Sequence, residues 1–466
     1  MFSLQGFDYD TLSQRILGRA KELGASYCDL RFNWSAATVI RVRNGEVETC
    51  NRGFSSGLGV RVIKDGAWGF ASSGNISERD ALNLVEEACK IASNTKGKDV
   101  KLASVKIYED RVSTPLRIDP NDISLESKVK TVLEAEEAAR KYHPSIASTT
   151  ASYIDISTHQ YFASSEGAKI DSEITRVFTT LYVAAKEGSV ISPSYEAIGG
   201  TRGYELVEKN PPEGLVKEVC ERAVRLLKAS PPPPGEYTAV MDPKILGLMI
   251  HEAFGHTAEA DLVLSGDILS GKIGEKVASE DVTVIDDGSV PGALGSIPYD
   301  DEGVKTGKTI IVEKGILKSY MHTRETAHIL QAEPTGNARA QSYNYEPIVR
   351  MRNTYVDRGD WSPEEIIEET RHGFYLKGGI GGQADVNGVF MFSVQEAFDI
   401  ENGELKEPYR AVSISGRAID VLKSVDAVGR DLAINSPGVC GKLQSAYVDG
   451  GGPHIRCRIK IGGRRE

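Results

Sequence analysis

The chain has 466 residues, too long for one hydrophobic core and about right for two domains. Its composition, 40% hydrophobic and 26% charged, is that of an ordinary globular protein, and its formal net charge of −11 argues against broad nucleic-acid binding, which needs a basic face. No apolar run approaches the ~18 residues that cross a bilayer, and residues 1–10 hold neither a basic cluster nor an apolar stretch, so neither a membrane span nor a secretion signal is expected.

Leu12, Ile16, Leu17, Ala20 and Leu23 recur at helical spacing and predict a first helix over 8–23, stopped by Gly24. Cys28, Leu30 and Phe32 then alternate with polar neighbours, as in a strand. Asn44-Gly45 predicts a hairpin between strands at 38–43 and 46–50, and Lys64-Asp65-Gly66 a second between 59–63 and 67–71. Ser77 can cap the next helix with Asp80 as its capping-box carboxylate, and Leu82, Val85, Ala88, Cys89 and Ala92 form its apolar stripe. A charged helix over 124–142, strands over 149–161 and 168–185, and a helix over 212–229 follow.

Pro231-Pro232-Pro233-Pro234-Gly235 reads as a stiff extended spacer. Beyond it, 236–241 reads as a strand, Asp242 as an N-cap and Pro243 as the first residue of a helix. Strands are predicted at 282–286, 309–314, 349–356, 389–392 and 396–401, with one helix over 363–372. The fold class is α+β. An N-terminal α/β domain with antiparallel strands and flanking helices spans 1–230, a linker spans 231–235, and a β-rich domain carrying the histidine helix spans 236–466.

That helix runs into His251-Glu252-Ala253-Phe254-Gly255-His256. Imidazole nitrogens suit zinc, and a carboxylate beside the first ligand is placed to take a proton from metal-activated water. The spacing is i and i+5, which on a regular α-helix rotates the second ring about 140° away from the first. A π-bulge, one extra residue in a turn, would realign them, and Gly255 eases such a distortion. Six cysteines are scattered without a Cys-x-x-Cys pair. Cys28, Cys50, Cys89 and Cys220 read as small core residues. Cys440, among Pro437, Gly438 and Gly441, reads from its surroundings alone as a loop cysteine or a ligand.

The run from His251 to Asp261, His-Glu-Ala-Phe-Gly-His-Thr-Ala-Glu-Ala-Asp, resembles the signature of the TldD/PmbA family of metalloproteases. Asp300-Asp301-Glu302-Gly303, Thr335-Gly336-Asn337, the run Arg350 to Tyr355 and Gly438-Val439-Cys440-Gly441-Lys442 resemble blocks of its TldD branch, in order. So do Gly59 to Val62 and Gly66 to Phe70 in the N-terminal half. The resemblance covers nearly the whole chain. It implies Cys440 as third metal ligand beside His251 and His256, with a fourth position left for water. Zinc suits that set, and another divalent metal such as iron also fits. Glu252 is then the general base. The resemblance further implies cytoplasmic cleavage of short or unfolded peptides within a dimer, either a homodimer or a heterodimer with a metal-free TldE/PmbA-type paralogue. Neither nucleic acid nor membrane is an expected partner. The rival is a non-catalytic regulatory protein of the gyrase-modulator type, against which the intact His251, Glu252, His256 and Cys440 set speaks.

Glu259 and Asp261 can orient a ligand imidazole or form a solvated helix end. Asp300, Asp301 and Glu302 have the composition of a polar turn. His322 can stabilise an oxyanion or be structural. Arg339 is followed by Ala340, where the family tends to pair arginines. Gly378, Gly379, Gly381 and Gly382 let another backbone approach closely, as in a peptide laid along a strand edge, or form a flexible turn.

Overall fold

The computed structural model describes residues 8–95, 99–210 and 212–463. Residues 1–7 of the segment read against a secretion signal lie outside that set. Asn44 and Gly45 take positive φ (49° and 86°), the two-residue turn whose twist matches its strands. They join β1 (Tyr27–Arg43) to β2 (Glu46–Lys64), and Asp65-Gly66 joins β2 to β3 (Ala67–Ser73) in the same way. The short strands expected here are segments of far longer ones, 17 and 19 residues in β1 and β2. With β4 (Glu109–Ser113), β5 (Ile146–Ser164), β6 (Lys169–Glu187) and β7 (Val190–Gly200) they form one sheet. Its order is β3-β2-β1-β5-β6, and β4 and β7 share the far edge of β6.

Helices Tyr9–Glu22 and Glu78–Asn94 cover one part of this sheet and Leu125–Lys141 and Pro212–Leu226 another, each pair with its own apolar core. Ser77 caps as expected, accepting from the N–H of Asp80 at 3.1 Å. The Asp80 carboxylate accepts instead from the Ser77 hydroxyl and the Asn75 amide, so the reciprocal half of a capping box is not made. Ala81 and Leu84 fill the buried stripe, and Leu82 is only half-buried. Cys50 is exposed, contrary to expectation, because the first half of β2 runs out beyond the covering helices.

From Gly235 onward the chain is strand-rich. β8 (Gly235–Met241), β9 (His372–Ala384), β10 (Val389–Glu401), Val412–Arg417 and Ile455–Gly463 pair in a closed ring of five strands. A further sheet contains Val284–Asp287, Asn353–Val356 and the hairpin of β11 (Gly438–Lys442) with β12 (Gln444–Gly452). The glycine block 378–382 is thus neither loop nor turn but part of β9, interrupted by a bulge between Gly379 and Gly381. The two strands expected at 389–392 and 396–401 are one, and helices Arg324–Leu330 and Ala418–Lys423 were not anticipated. Among the described residues, no helix is long and apolar enough to cross a membrane.

The two halves meet through buried charge. Arg61 on β2 pairs with Asp29 at 2.7 Å and with Glu302, from the other half, at 3.0 Å. Glu302 also accepts from the backbone N–H of Arg324, whose guanidinium grips Glu166. The Asp300-Asp301-Glu302 turn is therefore a joint between halves. Removing one partner of a buried ion pair leaves the other uncompensated, which costs about 3–5 kcal/mol. Arg61→Met is expected to lower unfolding stability by about that amount, read from the urea midpoint at constant m-value. A change under about 1 kcal/mol would show that the joint carries little of the stability.

Candidate metal centre

Asp242 accepts from the N–H of Ile245 at 2.9 Å and Pro243 begins the helix Pro243–Met249, as the sequence predicts. The helix then widens. Residues Ile250–Gly255 form a π-turn in which the N–H of His256 bonds the carbonyl of His251, and His256–Ala258 closes with a 3-10 turn. The extra residue brings both rings to one side, with centroids 5.2 Å apart. Gly255 has an ordinary helical φ of −59°, so its role is space rather than conformational freedom: a Cβ there would lie 2.2 Å from the Met351 sulfur.

β11 supplies Cys440, whose Sγ lies 3.3 Å from His256 Nε2. Donor atoms of His251, His256 and Cys440 all fall within 4.8 Å of one another. His251 is buried, and among the described residues neither of its ring nitrogens lies in hydrogen-bonding geometry with a partner. His256 Nδ1 contacts the fully buried Glu259 at 2.7 Å. Lys442, two residues after Cys440, reaches Glu259 at 3.2 Å and both oxygens of Asp261 at 2.7 Å. Glu259 thus contacts the His256 imidazole, whereas Asp261 holds Lys442.

Burial opposes charge on Cys440, but the two imidazoles outweigh it and bring the thiol down to about 5. Burial likewise opposes charge on His256, and Cys440 with Glu259 outweighs it, raising the imidazole to about 10. The pocket therefore favours a thiolate beside a positive charge, which a proton or a metal ion can provide. Glu252 is part-exposed, with Oε2 3.8 Å from His256 Nε2.

Glu252, His251 and Cys440 line a cavity of about 190 Å³. Gly379 and Gly381 share its wall; Gly378 and Gly382 do not. Gly378 instead donates its N–H to Asp242 at 3.1 Å, and Gly382 is packed against β10. His322 lies away from this wall, 2% exposed, with Nδ1 3.3 Å from the Thr326 hydroxyl. Tyr195 and Glu196 from β7 and Lys244 and Gln395 from the second half also line the cavity, none of them singled out by the sequence. Lys442 was within reach of sequence reasoning, since it ends the block that holds Cys440.

Models of the three PmbA/TldA metallopeptidase domains match this chain in order: domain 1 over 28–92, the central domain over 118–227 and the C-terminal domain over 234–463. The chain belongs to the PmbA/TldD metallopeptidase family. A "Metalloprotease" of Methanothermobacter thermautotrophicus is 43% identical over 94% of this chain and 95% of its own. A "Zinc metalloprotease TldD homolog" of Saccharolobus solfataricus is 32% identical over 96% and 99%. The crystal structure of TldE from Thermococcus kodakarensis superposes with a TM-score of 0.79 at 21% identity, covering 97% of this chain and all of that one. A Thermotoga maritima protein titled as a modulator of a DNA gyrase gives 0.81 at 22%, covering 98% and 100%. At these identities the two structures show the fold alone.

Burial holds the His322 imidazole down to about 4, against an ordinary 6.5. Between those values the unfolded chain binds more protons than the folded one. The resulting stability is complete above about pH 6.5 and is lost as pH falls towards 4. His322→Gln is expected to flatten the decline of the urea midpoint across that window. Equal slopes for the two proteins would show that His322 takes up its proton without unfolding cost.

Proposed function

We propose that this metallopeptidase uses zinc, held by His251, His256 and Cys440, and Glu252 as general base, to hydrolyse short or unfolded peptides. The observation carrying this reading is the convergence of the three donors around a buried imidazole with no partner. An unsatisfied buried polar group costs about 1–3 kcal/mol, which a bound cation would offset. Two imidazoles and a thiolate form the borderline-soft set that zinc accepts. When bound, zinc would polarise a peptide carbonyl and make an adjacent water more acidic.

The chain's own groups do the rest. Glu259 accepts the Nδ1 proton of His256, which leaves Nε2 free to ligate. Glu252, on the cavity wall, takes a proton from the attacking water on its carboxylate and returns it to the departing amine. β9 pairs with β8 only from Phe374 to Leu376, so its edge beyond is open where Gly379 and Gly381 line the cavity. A peptide added to that edge bonds through groups that all peptides share, so selection rests on extended backbone rather than on side chains. A folded protein has those groups already paired.

The same reading divides the chain into domains 1–230 and 236–466 joined by 231–235. It has the enzyme act in the cytoplasm as a homodimer or beside a TldE-type, metal-free partner.

Metal content should fall from about one ion per chain to near zero in Cys440→Ala, by mass spectrometry of the purified protein. Full zinc in that variant contradicts the ligand set. Glu252→Ala should lower turnover about 10²–10⁴-fold while keeping its metal. Peptides from a mixed library should be cut, and the same sequences within a stable folded domain should not. Efficient cutting of the folded form contradicts the account of selection.

A further inference from the structure

A second cavity, of about 640 Å³, lies beside the cysteine hairpin. Its wall on the first sheet includes Gln160 and Arg176, and its opposite wall Asp301, Arg339 and Tyr447. Val439, the residue before Cys440, lines both this cavity and the metal cavity, so the two adjoin across one strand.

Arg176 and Arg339 are 8% and 7% exposed, and among the described residues neither forms an ion pair with a carboxylate. Arg176 donates from Nε to the carbonyl of Leu294 at 3.0 Å and from Nη2 to that of Ser296, and lies over the Tyr447 ring. Among the described residues Arg339 donates from Nη1 to the carbonyl of Met351 at 2.6 Å and makes no other side-chain hydrogen bond, which leaves its Nε and Nη2 donors for the cavity. Asp301 is the acidic residue on the wall. Its oxygens already accept from Gln160 and from the N–H of Ala340, and Arg31 stands 3.8 Å behind it. The cavity therefore keeps an excess of positive charge. Burial draws both guanidiniums down, and at Arg339 the repulsion of Arg176 and Arg350 adds to it. A bound anion would relieve both effects.

We propose that Arg339 and Arg176 form an anion subsite for the terminal carboxylate of a peptide substrate. This rests on the peptidase reading above. A guanidinium with two free donors matches a carboxylate bidentately. The terminal carboxylate is the one anion that every peptide carries, and the shared wall at Val439 sets this cavity beside the one lined by Glu252. Ile156, Ile174 and Tyr447 give the intervening side chains an apolar wall. The subsite thus favours cleavage a few residues from a free C-terminus.

The test compares one N-terminally labelled peptide as the free acid, as the C-terminal amide, and as an amide ending in glutamate. Binding is read by fluorescence anisotropy on the full-length Glu252→Gln chain, and turnover on the wild type. The acid is expected to bind about 10–100-fold more tightly than the amide. Arg339→Gln in the same background should abolish that preference and leave amide affinity unchanged. Inorganic phosphate should compete with the acid and not with the amide. Equal affinity of acid and amide overturns the proposal, and needs no arginine variant to be read. So does an amide ending in glutamate that binds as tightly as the acid, which would assign the subsite to a side chain. If the wild type cuts neither peptide while the acid preference persists, the peptidase reading fails and the subsite stands. If both are cut with equal KM and bind equally, the subsite fails and the peptidase reading stands.

Discussion

Two imidazoles five residues apart cannot face one point from a regular α-helix, and this chain meets that constraint by widening one turn. A π-turn gives up good hydrogen-bond geometry and is held only where packing fixes it. Here the support comes from the segment 350–352. Met351 fills the space that a side chain on Gly255 would need. Arg350, on one side, donates to the carbonyls of Cys440 and Gln444 and so fixes the cysteine hairpin. Arg352, on the other, is fully buried against Asp286 at 2.7 Å and against the Thr335 carbonyl. Three consecutive residues thus prop the widened turn, hold the strand bearing the thiol and anchor both to the sheet behind.

The charges around the centre follow from the same arrangement. β11 brings Cys440 to His256 and, two residues later on the same face, Lys442 to Glu259 and Asp261. Glu259 has no exposure, yet burial does not neutralise it: contacts with His256 and Lys442 keep its carboxyl below the usual range. An anion so placed fixes the His256 ring and steadies positive charge on it. One hairpin therefore delivers both a sulfur donor and the counter-charge that keeps the orienting carboxylate ionised.

What could be read from sequence was what is decided locally. Hairpins at Asn44-Gly45 and Asp65-Gly66, the caps at Ser77 and Asp242, and the need for a π-turn at His251 to His256 all depend on neighbours in the chain. Joining Cys440 to the histidines required the family resemblance, because nothing local relates residues 184 apart. Long-range outcomes were hidden for the same reason. Cys50 has the alternation of a buried strand, but whether a helix covers it depends on where residues 78–94 pack. The glycines of β9 allowed a turn or the close approach of another backbone, and it is their long-range surroundings, Leu248 against Gly379 and the Met391 carbonyl against Gly382, that explain their place in a strand.

The first half of the chain matters to the centre as more than a scaffold. Tyr195 on β7 exchanges two hydrogen bonds with the Gln395 side chain across 200 residues of sequence, through its N–H at 2.8 Å and its carbonyl at 2.9 Å. Glu196 beside it bridges Lys244, at the start of the histidine helix, and the buried Arg222. These contacts lay β7 over the cavity lined by His251 and Cys440, so one wall comes from each half. Gly379 and Gly381 of β9 share that cavity with Tyr195 and Glu196 of β7. The buried joint at Arg61, Asp29 and Glu302 acts on the same geometry from a distance. By holding Arg61 between Asp29 and Glu302, it fixes the first sheet against the second half.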